Sequence, residues 1–380
     1  MRITDIKCYL MPVEKEKPTY GWRKNIEFGD GIALGGKSYH ACLKVETDEG
    51  INGYVGITQK AFIVADQVRR RFHRFLDKDP LMTEQLWQDL WELDRAERLQ
   101  VDAFSMVDLA CWDIKSQKAN MPLYKLMGGN SNKVRAYAST VTWFTMGEYE
   151  RHIKECMEAG FTAFKLHGWG DVKKDIELSA NLRKWTGDDA VLLFDASAGF
   201  SFEEAVTFGR ALEQYGYYWL EEPLREYNLD SNRRLCETLD IAILGAETVE
   251  GAHWSAASWI SNGACDMIRT CTSRKAGVTG ALKVAHLAES FGMKAQVLHE
   301  DGCIDLHLCC GISNNDFYEK IITDSAQIKG MGNNGEISIV DGWLTAPQRP
   351  GIDIQPDWEE VARNAAYIIS ARTQTCVAKP

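Results

Sequence analysis

From Val134 to about residue 320 the chain repeats one pattern: a short apolar run, a polar turn, then apolar positions at helical spacing. The apolar runs are VRAYAST, TAFKLH, VLLFD, YYWLE, AILGAE, CDMIRT, KAQVLH and DFYEK. Stretches such as EYERHIKECMEAG and ALKVAHLAESFG lie between them and read as helices. Strands that alternate with helices predict a parallel sheet, and eight of them close into an α/β barrel whose functional groups sit at the C-terminal strand ends. The fold class is therefore α/β.

The first fifty residues have a different rhythm. RITDIKCYL and YHACLKVETDEG alternate apolar and polar positions, as antiparallel strands do. Between them lies KPTYGWRKNIEFGDGIALGGKS, which carries Tyr20, Trp22 and Arg23 and is too long for an ordinary hairpin loop. Such a segment is either a binding loop over a site or a plain surface loop. From Phe62 to Leu99 apolar residues recur at helical spacing, and FSMVDLACWDIKSQKA forms a further helix that ends before Pro122. Residues 1–130 are thus expected to form an α+β domain and 131–330 the barrel. No linker composition marks the boundary; the change of pattern does. The final segment, 331–380, with EISIVDGWLTAPQRPGIDI, reads as strands and turns that pack back on the N-terminal domain.

Three strands end in an acid. Asp195 closes VLLFD, Glu221 closes YYWLE and Glu247 closes AILGAE, at intervals of 26 and 26 residues. One βα unit occupies such an interval, so the three carboxylates would stand side by side at the barrel mouth. A single acid there would be read as the cap of the next helix. Three at equal spacing point to a site for a divalent cation, and hard oxygen ligands suit Mg²⁺. Pro223 stops strand pairing just after Glu221.

The remaining strand ends hold candidates for acid and base. Lys165 and His167 are two residues apart and share one face of their strand. His299 ends KAQVLH, on the far side of the barrel, and Glu319 lies in DFYEK; for His299 a satisfied core histidine fits the pattern equally well. A cation flanked by bases on opposite faces of a pocket suits removal of a proton beside a carboxylate. The charge that develops needs stabilising where it appears, by the cation and by Lys165.

Composition narrows the field. Hydrophobic residues at 45% and charged residues at 26% describe a globular protein, and a net charge of -11 leaves no basic stripe for nucleic acid. Eleven cysteines without a paired framework suggest reduced thiols. No signal-peptide core and no membrane-length apolar stretch is present, so a cytoplasmic location is expected.

These residues resemble the enolase superfamily, its mandelate racemase subgroup in particular. DEGINGYVG is similar to the family's N-terminal hairpin, SMVDLACWDIKSQKANMPLYKLMGG to its helix and Leu-Leu-Gly-Gly segment, and DGWLTAPQRPGIDI to its closing turn. The resemblance implies a modified TIM barrel, (βα)7β, under a capping domain, and Mg²⁺ on Asp195, Glu221 and Glu247. It also implies a small carboxylate substrate hydrogen-bonded by Glu319, and homo-oligomers, dimers or octamers. Tyr20, Trp22, Arg23, Trp169 and Cys271 are expected to bind the substrate, with Lys60 beside them as a further selector.

Two positions depart from the family pattern. His167 stands where the second lysine of a Lys-x-Lys motif is usual; imidazole can act as base near neutral pH without a large pKa depression. Cys271 falls where the family has the aspartate that partners the seventh-strand histidine, so His299 lacks that carboxylate. A racemase needs two competent bases, whereas a dehydratase needs a base and an acid. The asymmetry favours a lyase that dehydrates a hydroxy acid or acid sugar, with His167 as base and His299 as acid. A racemase, epimerase or cycloisomerase, an isomerase on the same enediolate, is the alternative. A barrel that binds a metal or ligand without turnover, and a nucleophilic Cys271, also remain open.

Overall fold

The structure is a computed structural model that describes residues 1–13, 38–57, 61–98, 101–298, 302–328, 330–331 and 337–378. Tyr20, Trp22, Arg23, Lys60 and His299 lie outside the described residues.

Strands β1 (Ile3–Val13), β2 (Ser38–Thr47) and β3 (Gly53–Ile57) form an antiparallel meander. The alternation of the sequence sets its faces: Ile6, Cys8, Leu10, Leu43 and Val45 are buried. Helices α1 (Ala61–Arg70), α2 (Thr83–Glu97), α3 (Val101–Ala119) and the short α4 (Leu123–Leu126) come next.

The barrel strands are β4 (Lys133–Thr140), β5 (Ala163–His167), β6 (Val191–Asp195), β7 (Tyr217–Glu221), β8 (Ala242–Gly245), β9 (Met267–Thr270), β10 (Ala295–Val297) and β11 (Phe317–Ile322). They run parallel in the order β10-β9-β8-β7-β6-β5-β4-β11. Helices α5 (Met146–Glu158), α6 (Val172–Thr186), α7 (Phe202–Gln214), α8 (Leu229–Thr238), α9 (Ala252–Ser261), α10 (Gly277–Ser290) and α11 (Cys303–Gly311) connect them. β10 and β11 stand at the two ends of that order, and side chains bridge their seam. Val297 N donates to Asn315 Oδ1 at 2.9 Å, and Gln296 Nε2 to Asp316 Oδ2 at 2.7 Å.

Alternation along these strands sorts the interior into layers. Tyr137, Ala163, Leu193, Trp219, Leu244, Met267 and Phe317 make an apolar floor, with Tyr137 edge-on to Trp219 at 5.8 Å. Two residues further along their strands stand Lys165, Asp195, Glu221, Arg269 and Glu319. The period of two puts both sets on the inner face. The polar set therefore sits above an oily plug that excludes water from below.

The closing segment divides between the two domains. After the short strands β12 (Gly330–Met331) and β13 (Ile337–Ser338), β14 (Trp343–Thr345) pairs antiparallel with β4 and so extends the barrel sheet. It is the stretch beyond β14 that packs on the N-terminal domain, a correction to the expectation for the whole segment. Asp113 on α3 accepts from Ile352 N at 2.8 Å and Gln355 Nε2 at 2.8 Å, as well as from Tyr54 N at 3.0 Å. After α12 (Trp358–Asn364), β15 (Tyr367–Ser370) adds to β1, and β16 (Thr375–Ala378) forms the sheet edge.

The capping helices also hold the β9–α10 turn. Trp87 Nε1 donates to Ala276 O at 3.0 Å, and Asp108 accepts from Thr279 N at 3.0 Å and Thr279 Oγ1 at 2.7 Å. Asp108 thereby satisfies an N-terminal donor of α10 from another domain. Gly277 makes this fit possible, because its φ is +89° and a Cβ would lie 2.1 Å from Asp108 Oδ2. Gly277→Ala is expected to cost about 3 kcal/mol or more through left-handed strain and overpacking, read as a lowered urea midpoint.

Candidate active site

Neighbouring strands place the polar residues on one rung. His167 is in register with Asp195, Asp195 with Glu221, and Glu221 with Leu244. The first two acids do close their strands. The third does not: β8 ends at Gly245, and Glu247 lies on the turn beyond it. Ala246, at φ +67°, turns the chain so that the Glu247 carboxylate comes back to the mouth. Glu222 Oε1 accepts from Glu247 N at 2.9 Å, and Lys275 Nζ donates to the carbonyls of Ala246, Glu247 and Val249 at 2.8, 3.1 and 2.8 Å. The third acid is thus held by a buried lysine rather than by strand pairing.

Carboxylate oxygens of Asp195, Glu221 and Glu247 lie within 4.8 Å of one another. Asp195 Oδ1 accepts from Ser197 N at 2.7 Å and Ser197 Oγ at 3.0 Å, and its Oδ2 faces His167 Nε2 at 3.1 Å. Burial pushes Asp195 up, yet His167, Lys165 and the Ser197 hydrogen bonds outweigh it and hold the carboxylate well below its ordinary range. Burial drives Glu247 well above its ordinary value; Arg274, at 2.9 Å, opposes this, while Glu222, Glu221 and Asp195 add to it. Glu222 is pushed up to about 7 by burial and by Asp195 and Glu221. Crowding among these acids thus works against their holding negative charge at the mouth. Three hard oxygen donors around that charge fit a small divalent cation such as Mg²⁺.

Lys165 is fully buried among acids. Its Nζ lies 2.7 Å from Glu319 Oε1, 3.0 Å from Glu221 Oε2 and 3.4 Å from Asp195 Oδ2. Burial works against the ammonium, but Glu221 and Glu319 prevail and hold it well above the ordinary lysine value. It is a fixed positive charge. Glu319 is held down to about 2, since Lys165 and Arg269 outweigh its burial.

His167 sits at the mouth end of β5. Its Nδ1 lies 2.6 Å from the Thr140 carbonyl, so Nδ1 carries the proton and Nε2 is directed at the pocket. Thr140 Oγ1 accepts from His167 N at 2.9 Å, and Tyr149 Oη donates to the His167 carbonyl. Asp195 Oδ2, 3.1 Å from Nε2, can only accept, so a hydrogen bond between the two forms once Nε2 has taken up a proton. Gly168 lets the chain turn away here, because a Cβ would meet Asp175 Oδ1 at 2.5 Å.

Trp169 gives its indole N–H to Trp143 O at 2.7 Å, and its ring packs edge-on to Tyr149 at 5.3 Å. Cys271 is buried just past β9, and its Sγ accepts from Arg274 N at 3.4 Å. Asp266 accepts from Ile243 N at 2.8 Å, at the opposite end of the strand from the mouth. His307 is buried on α11; its Nδ1 accepts from Tyr124 N at 3.3 Å, and burial lowers it to about 4.

Sequence reasoning missed Arg269, Arg274, Lys275 and Glu222. Strand parity would have found Arg269, which shares the inner face with Met267 two residues earlier. The other three lie on turns, where no period points to a direction.

An eight-stranded α/β barrel with three mouth carboxylates and a lysine-histidine pair on the second strand, under a capping domain, defines an enolase-type enzyme. The chain belongs to this superfamily: its residues 148–361 match the enolase C-terminal domain-like family and residues 32–128 the mandelate racemase / muconate lactonizing enzyme N-terminal domain. It is 29% identical to arabinonate dehydratase of Saccharolobus solfataricus over 350 residues, 85% of this chain and 91% of that protein. It is likewise 29% identical to 3,6-anhydro-alpha-L-galactonate cycloisomerase of Streptomyces coelicolor, over 76% of this chain and 80% of the other. Among solved structures, D-glucarate dehydratase from Agrobacterium tumefaciens, complexed with magnesium, superposes with a TM-score of 0.84 at 30% identity, covering 96% of this chain and 98% of that one. Among the described residues no helix is long and apolar enough to cross a membrane.

Proposed function

We propose that this chain dehydrates a hydroxy acid of the acid-sugar class to a 2-keto acid, with Asp195, Glu221 and Glu247 holding Mg²⁺. The observation that carries this reading is the β5 pair: Lys165 Nζ sits among three carboxylates while His167 Nε2 faces the mouth beside Asp195. Bound Mg²⁺ would supply positive charge to the substrate carboxylate. Lys165 adds a second, permanent positive charge at the same place and so favours the enediolate over the starting acid. His167, its Nδ1 proton held by Thr140, takes the α-proton on Nε2, and the Asp195 carboxylate favours the imidazolium that results. The family resemblance assigns Glu319 to the substrate carboxylate, but an ionised Glu319 beside Lys165 and Arg269 has no proton to donate there and instead holds the Lys165 ammonium in place. The β-hydroxyl then leaves as water with a proton from an acid, and the enol tautomerises to the keto acid. His299 is assigned as that acid on sequence grounds. The dehydratases among the similar proteins support this choice, and the cycloisomerase among them keeps an isomerase as the second reading.

A cytoplasmic location, a homo-oligomeric state and the boundary near residue 130 belong to the same proposal. Incubation with a panel of sugar acids in deuterated water tests the reaction. The expected result is 2-keto acid formed with Mg²⁺ and abolished by EDTA. Deuterium at the α-carbon without keto acid would establish the isomerase instead.

A further inference from the structure

Arg269 takes no part in that chemistry, yet it is one of the largest fully buried side chains, at 1% exposure. A buried guanidinium is costly unless every donor is matched. Here the matching is lopsided. Nε donates to Glu221 Oε1 and Nη2 to Glu221 Oε2 at 2.7 Å, so one fork grips both oxygens of a residue in the mouth triad. Nη2 also donates to Tyr137 Oη at 2.9 Å and lies 3.6 Å from Glu319 Oε2; Nη1 donates to Val297 O at 3.2 Å. Lys165 adds a third bond to the Glu221 carboxylate, at Oε2.

Charge and geometry each have a consequence. Within the buried layer Lys165 and Arg269 stand against Asp195, Glu221 and Glu319, so most of the negative charge there is offset without any added ion. Glu221 is also fixed by a planar fork that a lysine could not reproduce. We propose that Arg269 is a positioning residue for Glu221 that doubles as a resident counter-cation. It stabilises the empty triad more than the loaded one and thereby weakens divalent-ion binding. Whatever stabilises the empty state alone lowers affinity by the same factor. The proposal rests on the reading that Asp195, Glu221 and Glu247 hold Mg²⁺.

Calorimetric titration with MgCl₂ and thermal melts with and without it, on wild type, Arg269→Gln and Arg269→Lys, provide the test. Arg269→Gln is expected to bind Mg²⁺ about tenfold more tightly than wild type, a change within the usual range of coupling between two linked binding equilibria. Its metal-free form should melt below wild type, and Mg²⁺ should raise its melting temperature by more. Arg269→Lys, which keeps the charge without the fork, should fall between. Equal or weaker Mg²⁺ binding by folded Arg269→Gln overturns the proposal. Should Arg269→Gln fold only when refolded with Mg²⁺, that dependence supports it, whereas Mg²⁺ affinity in Arg269→Lys no higher than wild type overturns it. A wild-type protein that takes up no Mg²⁺, or an Asp195→Asn variant that binds it as well as wild type does, instead removes the triad reading beneath the proposal.

Discussion

His167→Asn is expected to lower kcat/KM on the acid that the enzyme turns over by about 10³-fold, the range in which removal of a positioned general base acts. Asparagine is close in size and retains a polar side chain beside Thr140, so the mouth keeps its shape. Mg²⁺ affinity, read by calorimetry, should change by about tenfold at most, because the imidazole supplies no atom to the triad and meets it only at Asp195 Oδ2. Exchange of the α-proton with solvent should fall in parallel with turnover. Exchange that persists at the wild-type rate would place the base elsewhere, and Lys165, locked as an ammonium among Glu221, Glu319 and Asp195, is a poor substitute.

The second large effect separates two residues that share one ligand set. Glu221→Gln and Glu247→Gln should each abolish Mg²⁺ binding at millimolar concentration. Their stabilities should differ. Glu221 is fully buried and accepts from both Lys165 and Arg269, so its neutralisation deprives two buried cations of the carboxylate they share and should cost about 3–5 kcal/mol. Glu247 pairs with Arg274, whose side chain is 29% exposed and can turn to water, so its neutralisation should cost under about 1 kcal/mol. Urea unfolding of the metal-free proteins provides the comparison; equal losses would mean that the buried layer is not one electrostatic unit.

All eight barrel strands are legible in the sequence because strands covered on both faces need unbroken apolar runs, and those runs lie between helices of clear period. Asp195 and Glu221 can be placed for the same reason: each is the next inward position after Leu193 and Trp219. Glu247 is legible as a residue, but its pattern puts it on a strand that stops two residues earlier. Its place depends on the left-handed Ala246 and on Lys275 reaching across from the next turn, neither of which leaves a mark in hydrophobic pattern. Arg269 is hidden because a charged residue inside an apolar run reads as an interruption, although its parity is that of an inward position. The β10–β11 seam shows the same limit. Asn315 and Asp316 look like turn residues, but here they take over bonds that a ladder would have made. The closing segment reads as one piece, and the structure divides it, because β4 offers an open edge to Trp343–Thr345 before the chain reaches α3.

The pairing of Lys7 with Ser370 has a consequence for biogenesis. On the ribosome, β1 emerges long before β15, so the lid-side sheet waits with one flank bare while the whole barrel is translated. The order in which the chain is made therefore leaves that flank of β1 unpaired until β15 has emerged. Circular permutation that joins the two flanks should let the cap mature first.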